Sequence, residues 1–323
     1  MDHKIYNDTA VKQGELLSIC IPTYNRAPLL KELLISIRRE IEHLSTPGSE
    51  IGVYISDNAS PDHTQEVVRS LESSMPSLRY TRNDANIGGE ANVLHVRTLA
   101  RGYYTWVLGD DEILHDGALE VVMKIIRMRE HGLIILFNSF YDARFPRPAI
   151  FTDYSEYARF CMNRNPHALV EHTLISSNIY RSDCFDYDVV RQFKDMFYSH
   201  MYGMIRQLFR NRLSVYVPQD SVIAVREFDR PYSSDGGTHP PVDEAWQTYL
   251  AWLREELNFP ELDIMAPSRI ARKMMLSKMM RHPLLFLWRN RGAFFQPSAY
   301  RHLFMRVFLP RRTLKGAENS TRL

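Results

Sequence analysis

The chain has 323 residues, 45% hydrophobic and 24% charged, which is typical of a folded globular protein and excludes a disordered or fibrous one. The net charge of +2 conceals an asymmetry, because residues 264–317 carry twelve Lys and Arg and no acid, leaving 28 basic and 38 acidic residues elsewhere. Three widely spaced cysteines argue against a disulfide framework. The polar N-terminus argues against a signal peptide, and the shortness of the apolar runs argues against a membrane span. A cytoplasmic protein is therefore expected.

Strands and helices alternate along the first part of the chain. Apolar runs predict strands at Leu16–Ile21, at Ile51–Ser56, at Leu78–Arg82 and from Tyr103 to just before Gly109. Helical periodicity predicts helices at Pro28–His43, Pro61–Ser73, Glu90–Ala100 and Asp116–Arg129, with Ser60 as the cap of the second. This alternation predicts an α/β fold with a doubly wound, mostly parallel sheet and right-handed crossovers.

Polar residues cluster directly after each predicted strand, at Pro22–Arg26, Asp57–Ser60, Arg82–Gly89 and Asp110–Glu112. The carboxyl ends of parallel strands meet at one edge, where α/β sheets bind ligands. Glycines at 88 and 89 allow close backbone approach, and adjacent acids at 110 and 111 suit a ribose hydroxyl and a divalent cation against a diphosphate. Taken alone, the acids are equally compatible with a solvated turn, but four clusters on one edge favour a ligand site.

The same clusters resemble the motifs of the GT-A nucleotide-sugar glycosyltransferases of the large inverting family 2. The matching segments are Ile-Pro-Thr-Tyr-Asn-Arg at 21–26, Ser-Asp-Asn-Ala-Ser at 56–60, Asn-Ile-Gly-Gly at 86–89 and Leu-Gly-Asp-Asp-Glu at 108–112. Within that family the chain most resembles bacterial O-antigen and capsule transferases of the abequosyltransferase kind. The resemblance covers about the first 125 residues, and it implies a GT-A fold, a nucleotide-diphospho-sugar donor and a Mg²⁺ or Mn²⁺ cofactor.

The resemblance also implies roles for individual residues. It places Thr23 and Asp57 near the nucleotide base, Asp110 near the ribose and Asp111 at the metal. Many members have a spaced Asp-x-Asp, whereas this chain has Gly109 before two adjacent acids, so the metal is expected to depend mainly on Asp111. The expected donor-binding set is Pro22, Thr23, Tyr24, Asn25, Arg26, Asp57, Asn58, Arg82, Asn86, Gly88, Asp110 and Arg226.

The following half is expected to bind the acceptor. Its predicted elements are strands at Leu133–Asn138, Thr173–Tyr180, Leu213–Val217 and Ser221–Arg226 and helices at Ser155–Met162 and Phe193–Arg210. Two serines, Ser176 and Ser177, fall where the family often lines its acceptor site, although an ordinary edge strand is equally compatible. His200 falls where the family commonly places the general base, and Asp195 is the alternative candidate. The competing interpretation is that His200 has only a structural role, as a histidine packed among aromatic residues.

The predicted domain organisation is a catalytic domain at 1–227, divided into a nucleotide-sugar half at about 14–125 and an acceptor half at about 126–227. Residues 228–241 form a predicted mobile loop, either a lid over the nucleotide or a linker. Residues 242–323 form a basic, helical, membrane-associating region, in which Arg and Lys alternate with Trp288, Phe294, Phe295 and Phe304. Single-stranded nucleic acid and packing on the catalytic domain are its alternative partners, and we favour anionic lipid over nucleic acid.

The predicted function is inverting transfer of a sugar to a polyprenyl-diphosphate-linked oligosaccharide, by an enzyme peripheral on the inner face of a bacterial membrane. A sugar-nucleotide pyrophosphorylase is one alternative, but it would typically carry a Gly-rich basic loop where this chain has Pro-Thr-Tyr-Asn at 22–25. A non-catalytic membrane-surface scaffold with a degenerate nucleotide site is the other. The intact Asp57, Asp110 and Asp111 argue against a scaffold.

Overall fold

A computed structural model of the chain describes residues 14–45, 48–136, 148–164, 172, 174–193, 199–219, 222–224 and 242–256. The strands are β1 Leu17–Thr23, β2 Ile51–Asp57, β3 Leu78–Arg82, β4 Tyr104–Val107, β5 Ile113–Leu114, β6 Leu133–Ile135, β7 Ala149–Phe151, β8 Asn178–Arg181, β9 Val215–Val217 and β10 Ile223–Ala224. The α-helices are α1 Ala27–Glu42, α2 Thr64–Glu72, α3 Gly89–Thr98, α4 Ala118–Arg127, α5 Tyr154–Arg164, α6 Tyr187–Gln192, α7 Ser199–Arg210 and α8 Val242–Glu256. All of these lie in one compact unit, Met1–Ile264.

Eight strands form one sheet in the order β3-β2-β1-β4-β8-β6-β9-β7. The first four are parallel to one another, as predicted, while β8 runs antiparallel to both β4 and β6. Strand β9 is parallel to β6, and β7 closes the edge antiparallel to β9. A separate antiparallel pair joins β5 to β10. The predicted α/β class with a mostly parallel sheet is confirmed. All of the antiparallel pairings involve β4 or strands that follow β4 in the chain.

Burial explains the parallel half of the sheet. Every residue of β2 is buried, as is expected for a central parallel strand covered by helices on both faces. On α1, Leu30, Leu33, Leu34 and Ile37 are all fully buried, and their i, i+3, i+4, i+7 spacing places them on one face. Each contributes about 1.5–3 kcal/mol relative to an exposed side chain. This face fixes the end of β1 relative to α1.

Two element boundaries bear on the site. The pairing of β1 with β2 continues through Pro22–Ser56 to Thr23–Asp57, so that both strands extend beyond their predicted ends and include site residues. The prediction that Ser60 caps α2 was wrong. Helix α2 instead begins at Thr64. The backbone N–H of Thr64 donates to Asp62 Oδ1 at 3.2 Å, so the Asp62 side chain contacts the first turn of the helix.

The part of the chain that was expected to bind the acceptor is divided more finely than predicted. A 3₁₀ turn at Ile175–Ser177 precedes the short strand β8, and the separate helix α6 precedes α7. Helix α8 buries Tyr249, Leu250 and Leu253 in the core of this half. Among the helices that the structure describes, we find none that is both long enough and apolar enough to cross a bilayer.

Candidate active site

Two acids follow β4 at the middle of the sheet. The carboxylate of Asp110 is buried and accepts hydrogen bonds from Thr23 Oγ1 at 2.7 Å and from Arg26 Nη1 at 3.0 Å. Asp111 lies at the rim, and its Oδ2 accepts from the same Arg26 Nη1 at 3.3 Å. One guanidinium group therefore bridges both acids. The family resemblance implies that Asp110 contacts the ribose and that Asp111 binds the metal.

The electrostatics of this pair follow from burial. Burial raises the pKa of Asp110 to about 6; the nearby Arg26 opposes the shift, and the neighbouring Asp111 adds to it. Two adjacent carboxylates at a strand end favour a nearby cation, and Asp111, with 21% of its side chain exposed, offers an accessible oxygen ligand of the kind Mg²⁺ and Mn²⁺ prefer. The residues thus fit a divalent cation. Across the described ranges, no group of three or more His, Cys, Asp or Glu is arranged as a complete metal site, so a cation here requires oxygens from another source.

Gly109 is closely packed in the turn before the acids. A Cβ atom at 109 would lie 2.9 Å from Asp111 Oδ1, so that the Asp111 side chain would have to shift, while its distance of 3.4 Å from Ser176 Oγ would be an ordinary contact. The Gly109 N–H donates to Ser176 Oγ at 3.0 Å, which joins the turn before the acids to the 3₁₀ turn of the acceptor half. Ser176, which sequence analysis could place only near an acceptor site, therefore lies directly beside the acids.

Asp57 lies at the end of β2 and is fully buried. Its Oδ1 accepts from the Ser60 N–H at 2.8 Å, while its Oδ2 accepts from the Tyr80 hydroxyl at 2.6 Å. Arg82 Nε lies 3.4 Å from the same Oδ2, so the buried charge is both paired and hydrogen-bonded. Sequence analysis missed Tyr80, because its position in β3 showed no polar motif. These contacts fix the orientation of Asp57 at the sheet edge.

A network of asparagines holds the loop between β3 and α3. The Asn58 side chain donates to Asn86 Oδ1 at 2.7 Å and accepts from the Ile87 N–H at 2.9 Å. Asn83 donates to both Asn58 Oδ1 and Asn92 Oδ1 at 3.1 Å. Asn83 lies within the predicted cluster Arg82–Gly89 but was not in the expected donor-binding set, and Asn92 was outside both. The high frequency of asparagine between residues 83 and 92 is a signal that could have identified them. The network fixes the glycine turn that follows.

The glycine turn leaves open space at the edge of the site. Gly88 has φ +90°, a region that favours glycine, and its N–H donates to Asn86 Oδ1 at 2.9 Å. No heavy atom lies within 4 Å of the Cβ position of either Gly88 or Gly89 among the neighbours that the structure describes. The turn therefore presents backbone to solvent at the sheet edge, as the predicted close approach of a ligand requires.

The loop after β1 is fixed at its backbone. The Asn25 N–H donates to Ser60 Oγ and the Ala27 N–H to Asp62 Oδ2, both at 2.9 Å, and Asn25 adopts φ +54°. Both acceptors come from the loop after β2, so the two motifs support each other. Tyr24 is half-buried at the start of this loop, and Pro22 remains within β1.

His200 is the second residue of α7 and is half-buried. The preceding residue, Ser199, donates to Glu90 Oε2 at 2.9 Å, which ties the start of α7 to the start of α3. His200 lines a cavity of about 10 Å³ whose other lining residues include Val107, Ile175 and Asn178. Val107 lies at the end of β4, just before the acids, and Ile175 directly precedes Ser176, so the cavity beside His200 is near the segments that carry these site residues. The described residues do not include the predicted site residues Asp195 and Arg226, the predicted loop at 228–241, or residues 257–323.

Comparison with solved structures gives the class of the fold. TarS 1-349 of S. aureus in complex with UDP-GlcNAc matches with a TM-score of 0.55 over 90% of this chain and 81% of that one, at 14% identity. The same protein in complex with UDP matches with a TM-score of 0.53. With the sheet order, these matches identify a GT-A glycosyltransferase fold. The model of Glycosyl transferase family 2 matches residues 18–207, more than half of the chain, and the chain belongs to that family.

Curated relatives agree with the family. The Abequosyltransferase RfbV of Salmonella typhimurium is 38% identical over 108 residues, which are 33% of this chain and 31% of that protein. The GalNAc(5)-diNAcBac-PP-undecaprenol beta-1,3-glucosyltransferase of Campylobacter jejuni is 29% identical over 109 residues, 33% of each chain. The chain thus spans about a third of the length of these relatives. The predicted resemblance to family 2 and to abequosyltransferase-like enzymes is confirmed.

Proposed function

We propose that the protein is an inverting glycosyltransferase that moves a sugar from a nucleotide-diphospho-sugar to a lipid-linked oligosaccharide in bacterial surface polysaccharide synthesis. The observation that carries the proposal is the pair Asp110 and Asp111 after β4, together with the open glycine turn at Gly88 after β3, because both follow the carboxyl ends of parallel strands of one sheet. The names of two relatives, an abequosyltransferase and a glucosyltransferase acting on a PP-undecaprenol-linked glycan, support this donor and acceptor class.

The donor would bind along the sheet edge. Asp57, which is held by Tyr80 and Ser60, would contact the nucleotide base, and Asp110 would contact the ribose. Asp111 would hold Mg²⁺ or Mn²⁺, which when bound stabilises the negative charge that develops on the departing diphosphate. The remaining donor contacts are proposed for Pro22, Thr23, Tyr24, Asn25, Arg26, Asn58, Arg82, Asn86, Gly88 and Arg226.

The acceptor hydroxyl would be activated by a residue of the segment that is expected to bind the acceptor. His200 is the proposed general base, with Asp195 as the alternative, and removes the hydroxyl proton as the oxygen attacks the anomeric carbon. The bond between that carbon and the diphosphate oxygen breaks with its electron pair remaining on the oxygen. Attack on the face opposite the nucleotide inverts the anomeric configuration. Ser176, beside Gly109, lies where an acceptor contact is expected.

Two measurements test this function on the full chain. Thermal unfolding with UDP, CDP, GDP and dTDP, each with Mn²⁺, should show stabilisation by one of them, because a ligand specific for the folded state raises its stability by mass action. Release of that nucleoside diphosphate from its sugar conjugate should then depend on added polyprenyl-diphosphate oligosaccharide. Release of pyrophosphate from a nucleoside triphosphate and a sugar phosphate would instead identify a pyrophosphorylase. Absence of both activities would favour the scaffold.

We further propose that the basic region holds the enzyme on the inner face of the membrane without spanning it. Twelve cationic side chains between residues 264 and 317, at up to roughly 1 kcal/mol each near an anionic surface, suffice even if half of them face lipid. Co-sedimentation with anionic vesicles should weaken with salt and leave a remainder due to the aromatic side chains. A chain ending at Pro267 should not sediment. Equal binding to neutral vesicles, or sedimentation of the shortened chain, would contradict the proposal.

A further inference from the structure

Arg26 makes the contact that a metal ion at Asp111 would need. Its Nη1 lies 3.0 Å from Asp110 Oδ1 and 3.3 Å from Asp111 Oδ2. The first distance is that of an ordinary hydrogen bond and the second is slightly longer, and in both contacts the donor and the acceptor are charged. A cationic group therefore already neutralises part of the charge of the two carboxylates.

The Arg26 backbone is fixed, while its side chain is accessible. The residues on either side are held by hydrogen bonds from Asn25 N to Ser60 Oγ and from Ala27 N to Asp62 Oδ2. The Arg26 side chain is 49% exposed, so it can change rotamer without disturbing the core. By contrast, Asp110 is held by the buried Thr23 hydroxyl as well as by Arg26, so the acids stay in place when the guanidinium moves.

A divalent cation and the Arg26 guanidinium compete for the carboxylates of Asp110 and Asp111, because two positive groups on the same carboxylates repel each other and each occupies lone pairs that the other could use. The described part of the chain offers the cation no third His, Cys, Asp or Glu in this group to compensate. A cation that also binds diphosphate oxygens has more ligands, and so it competes better with Arg26 than a free cation does.

We propose that Arg26 is an exchangeable counter-ion that competes with the divalent cation for Asp110 and Asp111. It lowers the affinity of the protein for the free cation, and so makes cation binding depend on the diphosphate of the donor. This inference rests on the proposed assignment of the cation to Asp111.

The test is Mn²⁺ binding to the full chain without nucleotide, measured from the electron paramagnetic resonance signal of the unbound ion. Arg26→Gln should bind Mn²⁺ about tenfold more tightly than the wild type, since a competing positive charge is removed. Arg26→Lys should give a smaller change, because a compact ammonium cannot bridge two carboxylates as a guanidinium does. Arg39→Gln is the matched control: Arg39 is 48% exposed and pairs with Asp116 at 2.6 Å, away from the site.

The outcomes separate this inference from the proposed function. If Arg26→Gln binds Mn²⁺ no more tightly than the wild type, or if Arg39→Gln gives the same gain, the competition is absent and the inference is wrong. Asp111→Asn reports on the cation assignment itself. Loss of Mn²⁺ binding in Asp111→Asn together with an unchanged Arg26→Gln would overturn only the inference. Unchanged binding in Asp111→Asn would overturn the assignment as well.

Discussion

The segments expected to bind the donor and the acceptor place their polar groups in different ways. On the expected donor side, Asp57 and Asp110 lie at or just after the ends of parallel strands, and each is held by hydrogen bonds from residues of neighbouring strands and loops. On the acceptor side, His200 is placed by a helix whose start is tied to α3 through Ser199 and Glu90. The donor edge is therefore organised by polar contacts, and the acceptor side by the packing of its helices.

The acceptor half is correspondingly rich in aromatic contacts. The rings of Phe193 and Tyr202 stack with centroids 4.0 Å apart, and Tyr202 also contacts Trp252 at 4.8 Å. Buried Arg97 lies with its guanidinium carbon 3.1 Å from the Phe185 ring centroid. Such packing contributes strongly to stability. Substitutions on the donor edge should therefore separate activity from stability, whereas those on the acceptor side should change both unless the residue is half-exposed.

The largest effect is expected at the metal position of the donor edge. Asp111→Asn should lower transfer about a thousandfold, roughly 4 kcal/mol of barrier, because a neutral amide is a poor ligand for a hard cation. The folded state should be as stable as the wild type or more so, since the repulsion from Asp110 is removed. Initial rates and thermal unfolding measure the two effects. A variant that keeps more than about a tenth of the wild-type rate would contradict the metal assignment.

The matching test of the acceptor side is His200→Ala. It should lower kcat about a hundredfold while leaving donor affinity nearly unchanged, as expected when a general base is lost. His200 is partly buried and both of its ring nitrogens are shielded from solvent, so thermal unfolding of the variant is measured together with kcat. Asp195→Ala is the control that separates the two candidate bases. If His200→Ala unfolds and Asp195→Ala loses turnover without loss of stability, the base is Asp195.

The sequence could predict the donor edge because each of its motifs is short and follows a strand directly. Thr23, Asp57 and Asp110 reach one edge simply because their strands are parallel neighbours. The contact between Gly109 and Ser176 joins positions 67 residues apart across an antiparallel pairing, for which the sequence has no local signal. Tyr80 was missed for a similar reason, since it lies within β3 and its contact with Asp57 joins two neighbouring strands.

A smaller effect should appear in the pH dependence of stability at the donor edge. Because burial raises the pKa of Asp110 to about 6, above its usual value of 3.8, folding favours the protonated form. The resulting stabilisation is complete below about pH 4 and is lost as the pH rises through 6, and the shift corresponds to about 2–3 kcal/mol. Relative to Asp110→Asn, the wild type should therefore become less stable between pH 4 and 7.

This prediction is measured by urea unfolding with chelator present, so that no divalent cation binds the acids. Asp116→Asn is the control, because the Asp116 side chain is 89% exposed and should change the profile little. Parallel pH profiles for the wild type and Asp110→Asn would show that the buried carboxylate does not titrate in this range.

The smallest effect separates backbone strain from ligand contact at the glycine turn. Gly88 and Gly89 both face open space, so that an added methyl group meets no described protein atom at either position. They differ in conformation: Gly88 has φ +90°, whereas Gly89 begins α3. Gly88→Ala should thus cost about 1 kcal/mol of stability, whereas Gly89→Ala should be neutral or slightly stabilising.

If the donor approaches this turn, Gly89→Ala should weaken donor binding several-fold without loss of stability. Identical melting and donor affinity in both variants would show that neither the strain nor the contact exists.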